Sequence, residues 1–523
     1  MFQRRQILVP AAVLAVVAVY LGMSKALGSA GFPLDDAWIH QTYARNLVRS
    51  GHWEFTPGII SSGSTAPLWT LLLAVGYLLR IPYLMWTYLL GGMSLVLLAQ
   101  GGMRLWRQLW PEHRQLDWLA GLALTTTWSL VWAAVSGMET LLFPALGIWI
   151  LVFFTEYTSG THAGSPEPGT AKTPLAHRWP LATLGILLGL LILTRPDGVV
   201  LLVLNVIGLS FVYRSMPQRA LSILKLLSVT VLLLTPYLLF NLKSSGHVWP
   251  NTFYAKQTEY AAALQSPLLF RLGRLLFFSL GGPETGWRGS SGPQLLLLPG
   301  IGFAAWKAFR IDWARKRVRH TLPLLWAGGH LLLYAWRLPL LYQHGRYLAA
   351  ALPVWVLYGL GGWQGILAHI ANKRIRKIST QVAGLSFAML LLVFLLLGAQ
   401  AYAQDVAFIE SEMVRTAHWL DKNTADDAII ASHDIGAIGY FAERSLLDLA
   451  GLITPEIIPL LADPDALSDF VISSNADYLV TAPGWAYEQV VMADDVLLVY
   501  STEYAWTLNR NTNNMTVYRL PRR

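Results

Sequence analysis

The sequence predicts a polytopic α-helical membrane protein that carries a small α/β domain at its C-terminal end. Three observations lead there. Apolar stretches of roughly 18 or more residues recur through the first 400 positions, and such stretches cross a bilayer as helices. Only 13% of the 523 residues are charged, about half the share usual in soluble domains. Beyond Gln404 the composition changes: acidic residues and short β-type runs replace the long apolar ones.

The elements follow in order. Arg4 and Arg5 precede an apolar run at 7–23, with Ser29 and Ala30 behind it. This resembles a secretory signal peptide, but the run is long and many spans follow, so it reads as an uncleaved first span. Eleven spans are expected, near 7–28, 82–103, 117–134, 140–157, 179–194, 198–213, 221–241, 293–309, 321–336, 347–369 and 380–402. The apolar stretch 67–79 is too short to cross at about 1.5 Å per residue. Counting it as a span would also place the basic run 104–114 opposite the later ones. Residues 64–80 are therefore read as a helix lying in the interface.

With that choice the basic loops at 104–114, 172–178, 214–225, 307–319 and 373–377 share one side, which the positive-inside rule makes cytoplasmic. The expectation is a plasma (inner) membrane protein with a cytoplasmic N-terminus. Residues 1–403 form the membrane module. Its first outer loop is 29–66 and its long outer loop 243–292. Residues 404–523 form an extracytoplasmic α/β domain, with an amphipathic helix at 405–420 and strands at 428–432, 478–481, 496–500 and 515–520. A polar linker with Gly and Pro occupies 160–173.

Several functions are disfavoured. The net charge of +9 sits in short runs between apolar segments, so it sets orientation rather than binding nucleic acid. Cysteine is absent, which removes disulfide and thiol chemistry. No P-loop, HExxH or GxSxG motif occurs. The cytoplasmic loops are too short for a nucleotide-dependent domain.

The candidate chemistry lies on the outer side. The first outer loop contains Asp35 and Asp36, followed by His40, Tyr43 and Arg45. A helix starting there puts Asp36, His40 and Tyr43 on one face. Adjacent carboxylates supply a general base and a second group to position a ligand or a cation. On local sequence alone the pair reads first as helix capping with a solvated face. Glu139 lies in one outer turn, and Arg195 and Asp197 in another. These are either local ion pairs or functional charges at membrane depth. Lys256 and Tyr254 lie in Pro250-Asn251-Thr252-Phe253-Tyr254-Ala255-Lys256, and His344 and Arg346 in His344-Gly345-Arg346-Tyr347. Outer Arg and Lys suit a phosphate, or else snorkel to headgroups.

Together these motifs resemble a family. Leu34-Asp35-Asp36-Ala37-Trp38, Tyr43-Ala44-Arg45-Asn46-Leu47, Phe55-Thr56-Pro57-Gly58 and Gly63-Ser64-Thr65-Ala66-Pro67-Leu68-Trp69 are similar to the first outer loop of GT-C membrane glycosyltransferases. The closest resemblance is to the group of mycobacterial terminal arabinofuranosyltransferases. Protein O-mannosyltransferases and the aminoarabinose transferase acting on lipid A are more distant. The turns around Glu139 and Arg195, the Pro250–Lys256 and His344–Tyr347 motifs, and His433-Asp434-Ile435-Gly436-Ala437-Ile438-Gly439-Tyr440 extend it over most of the chain.

The resemblance implies an inverting transfer of a hexose or pentose from a polyprenyl-phosphate donor. The acceptor would be a cell-envelope glycan, lipid or protein. Carried over, Asp35 is the base, and Asp36 positions the acceptor or holds a divalent cation where one is used. Arg346, Lys256 and Arg195 neutralise the leaving phosphate. His40 departs from the family pattern. The alternative is a transporter or flippase of lipid-linked saccharides, against which stand the absence of a repeat and the one-sided polar groups. A scaffold would leave the Asp pair unexplained.

Overall fold

The computed structural model describes residues 2–162, 180–213, 215–283, 290–315, 317–510 and 514–521. Most of the expected linker 160–173 and the basic run 172–178 lie outside the described residues.

Helix α1 spans Phe2–Ala26, α2 Asp36–Ser50, α3 Pro67–Leu78 and α4 Tyr83–Leu109. Then come α5 (Asp117–Thr126), α6 (Trp128–Val135), α7 (Leu142–His162), α8 (Pro180–Thr194), α9 (Val199–Val212) and α10 (Met216–Ser245). In the long loop 243–292 lie α11 (Asn251–Glu259) and α12 (Leu268–Ser279). Helices α13 (Leu298–Arg315) and α14 (Leu322–Arg337), the short turn α15 (Tyr342–Gly345), α16 (Leu352–Ala368) and α17 (Lys373–Ile409) complete the bundle.

Helices therefore stand at all eleven expected positions. Among the described residues five are long and apolar enough to cross a membrane, or seven if each of two bent pairs is one span. The first bent pair joins α5 to α6 at 59°, through the extended backbone of Thr127. The second bends by 74° on entering α16. Helices α8 and α9 have 15 and 14 residues. The chain is a multi-pass membrane protein. Its helices pack backbone to backbone where side chains vanish: a Cβ on Gly362 of α16 would lie 1.8 Å from the Gly300 carbonyl of α13.

The expected helix at 405–420 is not separate. Helix α17 runs 37 residues to Ile409. A π-helical turn at Glu410–Val414 carries it into α18 (Arg415–Asn423). The tail then builds a five-stranded sheet from β1 (Ile429–Ser432), β2 (Ser445–Asp448), β3 (Tyr478–Thr481), β4 (Leu497–Ser501) and β5 (Thr516–Arg519). The order is β2-β1-β3-β5-β4. Strand β1 pairs in parallel with β2 and β3, and β5 is antiparallel to β3 and β4. Four of these strands match expectation; β2 was not anticipated. Helix α19 (Gly436–Phe441) follows β1, and α20 (Pro464–Ser473) precedes β3.

Candidate active site

The tail sits on α2. Asp35 was expected to act at the membrane surface or to cap its own helix. It makes no side-chain cap to α2. Its carboxylate instead accepts from the Gly436 N–H at 2.7 Å and the Ala437 N–H at 2.8 Å, so it caps α19 from across the interface. A Cβ on Gly436 would fall 2.0 Å from the Asp35 carbonyl, which explains the glycine. Arg45 holds the other end of α19 through the Tyr440 and Gly439 carbonyls and pairs with Glu443 at 2.9 Å.

Beneath this junction lies a cavity of about 420 Å³. Asp36, His40, Glu139, Arg195, Asp197, Lys256 and Arg346 line it, and Leu452 of the tail closes part of its wall. Asp35, Tyr43, Arg45, Tyr254 and His344 do not line it. Asp36 and His40 share a face as expected, but Tyr43 turns away. Its hydroxyl meets Ser61 Oγ at 2.7 Å and accepts from the Gly63 N–H at 2.9 Å, which shapes the loop before α3. Tyr254 packs its ring on His247. His344 bonds Asp405 at 2.8 Å between the rings of Trp128 and Trp132.

Two charge networks line the cavity. In the first, Arg346 Nη2 donates to Asp36 Oδ2 at 2.5 Å and Lys256 Nζ stands 3.5 Å from the same oxygen. Both cations also reach the Tyr347 hydroxyl, at 3.2 and 3.3 Å. Arg346 is 6% exposed, yet its Nε and Nη1 are buried with no hydrogen-bond partner. A buried donor without a partner is costly. The backbone delivering it is strained: Gln343 and His344 have φ of 54° and 58°, ahead of Gly345 at 67°.

In the second network, Arg195 bridges Glu139 at 2.9 Å, Asp197 at 3.0 Å and the Tyr334 hydroxyl at 2.7 Å. The expected ion pairing is present, and its members line the cavity. Glu139 is 2% exposed, and its Oε2 accepts no hydrogen bond. His40 Nε2 stands 3.6 Å from that oxygen.

Burial alone would push Asp36 up, but Lys256 and Arg346 hold it well below the ordinary carboxylate range. Its neighbour goes the other way. Burial and the charge of Asp434 push Asp35 up to about 7, against the two backbone N–H groups. Burial lowers His40 and keeps it neutral.

Comparison with known proteins supplies the architecture. A domain of unknown function, DUF8728, matches residues 400–518. No curated protein matches in sequence. The structure of ArnT from Cupriavidus metallidurans bound to undecaprenyl phosphate aligns with TM-score 0.58 at 15% identity, over 98% of this chain and 97% of that one. The apo oligosaccharyltransferase of Archaeoglobus fulgidus aligns with TM-score 0.59 at 12% identity, over 90% and 69%.

The chain has the GT-C fold.

Within this GT-C chain the cavity occupies the junction of the helical module and the tail. Sequence reading missed Tyr334, Tyr347 and Arg337, which also line it. Their signal was position alone: Tyr334 and Tyr347 lie near the ends of expected spans and Arg337 just beyond one, and of the three Tyr347 adjoins a residue already singled out, Arg346. The Archaeoglobus enzyme has also been solved with Zn and sulfate. In this chain no group of three or more His, Cys, Asp or Glu among the described residues is arranged to hold a metal ion. Asp36, the expected holder of a cation, is bound by Arg346 and Lys256 instead.

Proposed function

We propose that this chain is an inverting glycosyltransferase. It moves a hexose or pentose from a polyprenyl-phosphate donor to an envelope glycan, lipid or protein on the outer face of the plasma membrane. The N-terminus is cytoplasmic and the tail, from about residue 404, extracytoplasmic. The observation that carries this reading is the guanidinium of Arg346, which lines the cavity beside Asp36 and is buried with two nitrogens, Nε and Nη1, lacking a hydrogen-bond partner. A planar fork with spare donors suits a phosphate.

The cavity wall continues to Trp336 and Val199, which are 59% and 39% exposed on the bundle surface. An isoprenoid tail can leave there into lipid while its phosphate stays at Arg346 and Lys256. ArnT and the archaeal oligosaccharyltransferase AglB have been solved with undecaprenyl phosphate and dolichol phosphate, which supports a lipid-phosphate donor here.

In the reaction the acceptor hydroxyl oxygen attacks the anomeric carbon, the carbon–oxygen bond to phosphate breaks, and the phosphate leaves with the electron pair. The hydroxyl proton goes to a carboxylate. We assign that role to Asp36, because it faces the cavity, and assign Asp35 the docking of the tail. Arg346 spans the two sites: one nitrogen holds Asp36 and the others remain for the phosphate. Donor phosphate shares the cations that depress Asp36, so the carboxylate becomes more basic once the donor is bound. Arg195 orders Glu139 and Asp197 in the cavity wall.

Transfer from polyprenyl-phosphate donors in proteoliposomes tests this. Asp36→Asn is expected to lower turnover by about 10²–10⁴-fold, and Asp35→Asn by far less. Loss confined to Asp35→Asn would return the base to that residue. Movement of donor across the bilayer without any acceptor would replace transfer by transport.

A further inference from the structure

A second cavity, of about 750 Å³, is larger than the one described above. It lies between α13, α16 and the end of α4, and includes Gly365 and His369 at the C-terminal end of α16. Arg346 precedes the N-terminal end of the same helix. Seventeen helical residues rise about 26 Å, close to the hydrocarbon thickness of a bilayer. The second cavity therefore opens at the opposite membrane interface.

Its lining has two parts. Lys307, Arg310 and Arg315 of α13 give it positive charge, and all three are exposed. Glu112 is the acidic residue among the described lining, 3.6 Å from Lys307. The floor is apolar and partly bare, made by Phe303 and the glycines of α16. Trp306, Phe309 and Trp313 are 57%, 50% and 89% exposed on α13, as expected for an aromatic belt at headgroup level. Arg310 lies over the Trp306 ring at 5.5 Å, which orients its charge at that level.

We infer that this groove is a binding site for a glycerophospholipid with an anionic headgroup, independent of the outer cavity. The phosphate meets the three α13 cations, and an acyl chain lies along the apolar floor. A basic pocket between membrane helices joins the two features such a lipid carries.

Native mass spectrometry of the full chain in mild detergent tests this, with phosphatidylglycerol, phosphatidylcholine or inorganic phosphate added. Each basic residue near an anionic headgroup contributes about a five-fold gain in affinity. The variant K307Q/R310Q/R315Q should therefore retain phosphatidylglycerol about 100-fold more weakly. Retention by the unaltered chain should also fall as salt rises, a readout that needs no variant. Equal retention by the triple variant, salt-insensitive retention, or equal retention of phosphatidylcholine overturns the proposal. Inorganic phosphate binding as tightly as phosphatidylglycerol overturns the lipid assignment. Loss of phosphatidylglycerol on Arg346→Gln, with the triple variant unaffected, would place the lipid in the outer cavity.

Discussion

The two ends of α16 treat positive charge in opposite ways. At the N-terminal end Arg346 is buried, delivered by left-handed backbone and tied to Asp36. Near the C-terminal end Lys307, Arg310 and Arg315 stand in the open, one of them loosely paired. Burial decides what each set can do. A desolvated cation with unused donors is costly unless a specific partner arrives. Exposed cations cost little and act through a screened field on any anion nearby.

Arg346→Gln should produce the largest effect. It removes the open donors and leaves Asp36 with Lys256 alone. Breaking a buried pair costs about 3–5 kcal/mol, and loss of a charge-stabilising donor lowers turnover by about 10²–10³-fold. Arg346→Lys should not rescue it, since an ammonium cannot hold Asp36 and also present a planar fork. Thermal unfolding and donor turnover measure both; near-normal values would erase the contrast between the two ends.

A smaller, pH-dependent effect is expected at Asp35. Its folded pKa of about 7 lies above the ordinary value of 3.8, so the folded protein binds the proton more tightly than the unfolded chain. The stabilisation this gives is complete below about pH 4 and is lost as pH rises through about 7. Docking of the tail should therefore loosen between pH 5 and 8, read as faster hydrogen exchange at the Gly436 and Ala437 amides. Asp35→Asn should flatten that dependence; an unchanged slope would assign it to another group.

Lys307→Gln should be the mildest, shifting stability by less than about 0.5 kcal/mol. A shift of several kcal/mol in chemical denaturation would show that the α13 cations are structural after all.

The helix positions were legible because each long apolar run must satisfy its backbone within itself. The pairing of Asp36 with Arg346 was not, since 310 residues separate them and no local pattern encodes that contact. The different placing of Asp35 was hidden for a related reason. Adjacent carboxylates look alike in sequence, but one faces the cavity and the other the Gly436 and Ala437 amides of a domain 400 positions away. Strand β2 escaped notice because its four residues are too few to show alternation. The helix expected at 405–420 was found, but its continuity with α17 was hidden, because the composition changes while the backbone does not.

That continuity makes α17 a ruler. Thirty-seven residues measure about 55 Å, well beyond a hydrocarbon core of about 30 Å, and the helical path continues unbroken into the tail. The distance of the tail from the bundle is then counted in residues rather than left to a pliable joint. Four extra residues near position 400 would lift it by about 6 Å and swing it by more than a full turn. The amides of α19 would miss Asp35, and Leu452 would leave the cavity wall.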